Sequence, residues 1–214
     1  MCGRYILMFD NDDLELEFGL KATPVEWPPS ENVSPGEGIP VIIDPVTREL
    51  KIMRWGLVPY WAKDPAIGYK TINARAETVA EKPSFRAAFA RRRCLIPASG
   101  FYEWLDIGGR KQPFKFTVTD QKLFAFAGLW EHWQDPHGNE LTTCAIITTT
   151  PNLVVGKIHD RMPVILEKDL RWAWLENRPL PELQSMLAPY PTEKMAEPER
   201  IDPAFFKRNP KLNP

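Results

Sequence analysis

Short apolar runs, rich in β-branched and aromatic residues and closed off by turn formers, dominate the middle of the chain. IPVIID (39–44) and LKIMRW (50–55) read as two strands joined by the polar turn PVTRE. RCLIP (93–97), GFYEWLDI (100–107), PFKFTVTD (113–120) and FAFAGLWEHW (124–133) follow, with Gly108 and Gly109 turning the chain between two of them. FKFTV alternates apolar and polar with the period of a half-buried strand. ELTTCAIITT (140–149) and MPVIL (162–166) complete the set. The connections are mostly short, which favours antiparallel over parallel pairing.

Helical periodicity is rarer. Residues 10–20 carry acids in the first turn and Gly19 as a stop. Residues 84–93 offer Ser84 as an N-cap and end in three arginines suited to a helix C-terminus. Residues 167–176 and 180–187 are amphipathic and are expected to close the fold against the sheet. From Thr192 the chain turns polar and Pro-rich, which predicts a domain over 1–191 and a partly mobile tail over 192–214. The expected architecture is one α+β domain on a curved, mostly antiparallel, barrel-like sheet with a few flanking helices.

Composition narrows the function classes. Hydrophobic residues make up 43% and charged residues 26% of 214, ordinary globular usage. A net charge of −1 excludes a globally basic nucleic-acid binder, so any such site is a local patch. Proline, at 22 residues, is about twice the usual ~5% and sits between the predicted elements. Three cysteines without CxxC spacing argue against a disulfide framework and for a reducing compartment. Cys2, Cys94, Cys144, His132, His137 and His159 lack metal-ligand spacing, so neither a metal nor a cofactor is expected. No apolar run approaches a membrane span, and a cytoplasmic location is expected.

Four polar stretches interrupt the apolar pattern. They are the N-terminal MCGRY, TINARAE (71–77) with Asn73, Arg75 and Glu77, ASGFYEW (98–104) with Glu103, and KIHDRMPVIL (157–166) with His159, Asp160 and Arg161. Each alone has a plain structural reading. Glu103 fits a solvent-facing strand position, His159 a loop histidine, Asn73 a turn former, and Arg91–Arg93 a solvated helix end. Cys2 stands out chemically. Removal of Met1 places a free amine and a free thiol on one residue, a pair suited to capturing an aldehyde.

Taken in order, MCGRY, WGLVPYWAKD, NARAETVAEKPSFRAAFARRRCLIPASGFYEW, FAFAGLWE, CAIITT and IHDRMPVIL closely resemble the SRAP family, the SOS-response-associated peptidases or abasic-site processing proteins. The resemblance spans residues 1–166. It implies that Cys2 becomes the N-terminus and links covalently to abasic DNA, with Cys2, Asn73, Glu103 and His159 as catalytic residues. It also implies DNA contacts at nearby basic and aromatic positions, for which Arg4, Trp55, Trp61, Arg75, Phe85, Arg86 and Arg161 are the candidates. The expected partner is single-stranded or single/double-strand junction DNA carrying an abasic site, bound by a monomer that joins the nucleoid when engaged. Accessory abasic-site lyase and self-processing peptidase activities belong to the same expectation. Two rivals stay open: a non-covalent single-strand binding module and an N-terminal-cysteine amide hydrolase.

Overall fold

The computed structural model describes residues 2–20, 27–119 and 121–207; Met1 and residues 208–214 of the expected tail lie outside them. In chain order the elements are β1 (Arg4–Leu7), α1 (Asn11–Phe18), β2 (Ser30–Val33), β3 (Gly38–Ile42), β4 (Leu50–Trp55), β5 (Asn73–Arg75), α2 (Arg86–Arg91), β6 (Arg93–Ala98) and β7 (Gly100–Ile107). They continue with β8 (Arg110–Phe116), β9 (Phe124–Gln134), β10 (Glu140–Thr149), β11 (Met162–Pro163), β12 (Ile165–Leu166), α3 (Arg171–Leu175), α4 (Leu180–Ser185), β13 (Glu199–Arg200) and α5 (Ala204–Lys207).

Five strands close on themselves. β4 pairs with β3, β3 with β6, β6 with β9 and β9 with β10, all antiparallel, and a parallel β10–β4 contact at Cys144 and Trp55 completes the ring. Closure removes free edges from the ring. The wall is tight at Gly128, where a Cβ would come within 2.7 Å of the Cys94 sulfur and 2.8 Å of Ile96. Only glycine fits there. β9 and β10 splay beyond Gly128 and Ile146, and residues 162–166 fill the gap: β11 pairs with β10, β12 with β9. Between them Val164 donates to Ile147 O and accepts from Ala127 N–H, which is why the single strand expected there is split.

A second, antiparallel sheet runs β13-β8-β7-β1-β2. Aromatic rings join it to the barrel: Tyr5 of β1 meets Trp55 edge-on at 5.4 Å and Phe126 at 5.9 Å, and Phe101 of β7 meets Phe126 at 6.2 Å. These rings belong to one continuous buried core, so the α+β, barrel-based single domain expected from the sequence is the fold observed.

Local chemistry explains the helix ends. Asp10 and Asp13 cap α1 reciprocally, and Gly19 ends it with a left-handed φ of 59°. The expected Ser84 cap does not form. Phe85 and Arg86 N–H groups instead donate to Lys82 O from the preceding turn, so α2 starts without a side-chain cap. Arg93 stitches α2 and α3 to the barrel, its guanidinium donating to Phe89 O and Ala90 O (both 2.8 Å) and to Trp174 O and Glu176 O (both 2.7 Å).

The stretch from Thr192 departs from expectation by being docked as far as Phe206. Val118 bridges Met195, β13 extends the second sheet along β8, and Phe206 packs on Tyr102 at 5.0 Å and on Trp104 at 5.2 Å. Its few apolar residues are enough to cover the outer face of β7, which polarity averaged over the segment conceals. Among the described residues no helix is long and apolar enough to cross a membrane.

Candidate active site

The seam between barrel and second sheet brings together four residues that are remote in sequence. β1 pairs with β7 in the register Arg4↔Tyr102 and Tyr5↔Phe101, which continues to Gly3 opposite Glu103 and brings the Cys2 thiol within reach of the Glu103 charge. β5 joins the barrel parallel to β10, with Asn73 opposite Ile146. From there Asn73 Nδ2 donates to the Cys2 carbonyl at 2.9 Å. A single 3₁₀ turn (Val155–Lys157) delivers His159, whose Nε2 lies 3.6 Å from Glu103 Oε2. Cys2, Asn73, Glu103 and His159 therefore lie together in one cluster.

Burial sets the proton affinities. Glu103 is 1% exposed rather than the solvent-facing strand residue that its position alone allows. Desolvation raises its carboxyl from the usual 4.5 to about 7, and the neighbouring Asp160 adds to the rise. Burial also pushes the Cys2 thiol well above its ordinary value, with the Glu103 charge reinforcing it, so the sulfur is held as a neutral thiol. Desolvation draws His159 below 6.5, with Asp160 opposing. Its Nδ1 accepts from Arg161 N–H at 3.0 Å, so the neutral ring carries its proton on Nε2, facing Glu103. A near-neutral acid thus sits opposite a neutral imidazole donor, the kind of pair that moves protons around pH 7.

The seven DNA-contact candidates scatter more widely. Arg75 is exposed on β5, two residues beyond Asn73, and Arg4 is half-buried two residues beyond Cys2, donating to Asn32 at 2.9 Å. Arg161, two beyond His159, grips Glu77 with both terminal nitrogens (2.6 and 3.0 Å) and donates to Thr148 O at 2.6 Å. Each of these three site residues is thus followed at i+2 by an arginine. Trp61 is 47% exposed, Arg86 is exposed, and Phe85 packs partly against the core. Trp55 corrects the expectation. It is fully buried, with its indole N–H on Ile72 O at 3.0 Å, and offers no stacking face. It precedes the polar-aromatic loop in sequence but closes the barrel with β10.

Two supporting residues escaped the sequence reading. Asn152 is buried and accepts from Val154 and Val155 N–H while donating to Tyr190 O at 2.8 Å, which fixes the turn that presents His159. Its signal, a strand followed by Thr-Pro-Asn, is an Asx-turn pattern. Thr148, also buried, takes Arg161 through its carbonyl. Among the described residues no group of three or more His, Cys, Asp or Glu is placed to hold a metal.

The chain is similar in sequence and fold to known proteins. The sequence model of the SOS response associated peptidase (SRAP) family matches residues 1–201. The abasic site processing protein YoqW of Bacillus subtilis is 48% identical over 219 residues, covering 100% of this chain and 96% of the relative. The abasic site processing protein HMCES of Xenopus tropicalis is 32% identical, covering 91% of this chain and 72% of the relative. A crystal structure from Bacteroides thetaiotaomicron superposes with a TM-score of 0.89 at 30% identity, covering 98% of this chain and 96% of that one.

Proposed function

The chain belongs to the SOS response associated peptidase family, and from that premise we propose that it processes abasic sites in single-stranded DNA by forming a covalent adduct through Cys2 once Met1 is lost. The observation that carries this reading is the convergence of Asn73, Glu103 and His159 on Cys2, with a carboxyl poised at about 7 beside it.

The chemistry follows from the functional groups. Ring-opened abasic deoxyribose presents an aldehyde. The Cys2 amine adds to it, water leaves, and an iminium forms. The Cys2 thiol then adds to the iminium carbon and gives up its proton, closing a five-membered thiazolidine. The net change is the loss of one water. The second step is intramolecular, with the high effective concentration that such closures have. An α-amine with a pKa of about 7.7–8.0 is mostly protonated at pH 7, so a base is needed. Glu103, half-ionised near neutrality, accepts the amine proton and later the thiol proton. His159 donates from Nε2 to the sugar ring oxygen as the ring opens. Asn73, tied to the Cys2 carbonyl, orients the nucleophile. Arg75, exposed two residues beyond Asn73, would take a backbone phosphate, a contact that positions the strand without reading sequence, while Arg4 and Arg161 are engaged by Asn32 and Glu77. The same iminium acidifies the neighbouring sugar carbon, which gives strand-cleaving β-elimination when ring closure is slow. Cleavage of the bond before Cys2 is the self-processing step.

Intact-mass spectrometry tests the proposal. Protein lacking Met1, mixed with single-stranded DNA carrying one abasic site, is expected to gain the mass of the DNA less one water, and Cys2→Ala none. An unmodified mass for the protein lacking Met1 would overturn the covalent reading and move the non-covalent binding module ahead of it.

A further inference from the structure

Away from the Cys2 cluster, an open recess of about 770 Å³ lies between α2 and β9. Its helical wall is one face of α2: Arg86, Ala87, Ala90 and Arg91 sit at i, i+1, i+4 and i+5, with the small alanines leaving room between long cationic rims. The opposite side presents two aromatic rings, exposed Tyr60 and half-buried Trp130. In the floor, Arg92 is neutralised by nearly buried Glu131 at 2.6 Å. At the edge, His132 lies 3.6 Å from Glu140. Among the described residues Arg86 and Arg91 have no carboxylate partner. Two uncompensated guanidiniums thus flank two aromatic faces in a protein whose net charge is −1.

That combination matches one ligand chemistry. Guanidiniums take phosphates, and aromatic rings stack on bases irrespective of sequence. The volume falls within the range of about 300–1,000 Å³ that small organic ligands fill. An acidic peptide would use the arginines but not the rings. The strand register locates the recess relative to the reaction: Asn73 is opposite Ile146, Ile146 is opposite Gly128, and Trp130 is two residues further along β9. Two strand spacings of about 4.8 Å and two residues of about 3.4 Å put Trp130 roughly 12 Å from Asn73 along the sheet. At ~3.4 Å per nucleotide of a B-form strand, that is three or four nucleotides.

We infer that the α2–β9 recess is a second nucleic-acid subsite, holding an undamaged nucleotide of the bound strand about three or four positions from the lesion. The inference rests on the abasic-DNA reading of the Cys2 cluster for its partner. It assigns the strand a remote anchor that sets affinity by flank length, independently of covalent chemistry.

Strands carrying a non-reactive tetrahydrofuran abasic analogue test it by fluorescence anisotropy at fixed salt. One strand has six nucleotides on each side, and two others are trimmed to one nucleotide on the 5′ or the 3′ side. The wild-type protein is expected to lose roughly tenfold in affinity when one flank is trimmed, the scale of one stacked base with its phosphate contact. Arg91→Glu and Trp130→Ala are expected to lose about that much on the full strand and nothing further on that trimmed strand, where they match wild type. Arg91 is exposed, so its variant keeps the fold. Equal losses on trimming for wild type and Arg91→Glu would overturn the subsite, as would full-strand binding by both variants at wild-type affinity. Adduct formation on authentic abasic strands is followed in parallel. Its absence alongside the flank-dependent loss removes the covalent reading and leaves the subsite standing. Adducts with no flank dependence do the reverse.

Discussion

Arg93 and Glu103 stand on successive strands, β6 and β7, and are buried to 5% and 1% exposure, yet the fold treats their charges in opposite ways. Arg93 is surrounded by acceptors: four backbone carbonyls at the ends of two helices take its guanidinium at 2.7–2.8 Å. Those carbonyls are the ones a helix C-terminus leaves without a partner, and they lie at the negative end of the dipole. Glu103 instead faces an imidazole at 3.6 Å, and burial lifts its carboxyl to about 7. One buried charge is saturated and holds helices to a barrel. The other is left with a proton affinity near neutrality beside Cys2. A charge held by four carbonyls is a structural ion and a carboxyl that burial lifts toward neutrality is a reactive one, since a fully solvated carboxylate at its ordinary pKa would be too weak a base for the Cys2 amine.

The comparison breaks most visibly at Arg93. Arg93→Met keeps the length of the side chain but leaves four carbonyls without their donor, and losing a buried charged network of this kind costs roughly 3–5 kcal/mol. Urea denaturation is expected to show that loss, while the adduct rate per folded molecule stays at the wild-type level. A stability change under about 1 kcal/mol would mean that the staple is ornamental. Glu103→Gln reverses the pattern. It is expected to slow adduct formation about 100- to 1,000-fold, the usual scale of a lost general base. Unchanged kinetics in this variant would remove Glu103 as the base.

A third test reads the same carboxyl through stability. In the folded protein Glu103 holds its proton up to about pH 7, whereas in the unfolded chain it releases it near 4.5. Between those values the folded state binds more protons, so raising pH costs the wild type stability. The stabilising contribution is complete below about 4.5 and gone above about 7. At 1.36 kcal/mol per unit, Glu103→Gln should gain about 3 kcal/mol on the wild type across that window. His159 moves the opposite way, and the same comparison in a His159→Gln background separates its part from that of Glu103, its neighbour at 3.6 Å. A gap between the two that stays flat from pH 4.5 to 8 would contradict the raised carboxyl.

The two residues also differ in how far the sequence disclosed them. GFYEWLDI reads as a strand, and β7 occupies those very residues, but alternation alone makes Glu103 a surface residue. Its burial comes from β1 and the His159 loop, two long-range contacts that no local pattern encodes. The cluster was legible only because NARAET, ASGFYEW and IHDRMP occur together with an early cysteine. Arg93 read as the last of three helix-terminal arginines, and nothing local separates it from exposed Arg91. Which of the three faces inward depends on the turn from α2 into β6. The chain's long strands, β4, β6, β7, β9 and β10, were readable because their apolar runs are self-sufficient. β1 and β5, at four and three residues, lean on the longer β7 and β10, β2 in turn pairs with β1, and β1 and β5 position Cys2 and Asn73.

The smallest expected effect isolates an exposed charge beside the buried one. The Asp160 carboxylate is 89% exposed and lies 3.1 Å from His159 Nδ1, and it raises both Glu103 and His159. Asp160→Asn should therefore lower both. If Glu103 is the base that limits adduct formation, the rising limb of the pH–rate profile moves to lower pH, because the carboxyl ionises sooner. The shift is small, since water solvates Asp160 on most sides. It should also fade with salt, because at 1 M the screening length falls to about 3 Å, comparable with the Asp160–His159 separation. The burial-driven part of the Glu103 shift has no such route to screening and persists at 1 M. A profile that moves upward in Asp160→Asn, or a downward shift that survives 1 M salt intact, would place the origin of the Glu103 shift somewhere other than this division between a solvent-facing neighbour and a dry seam.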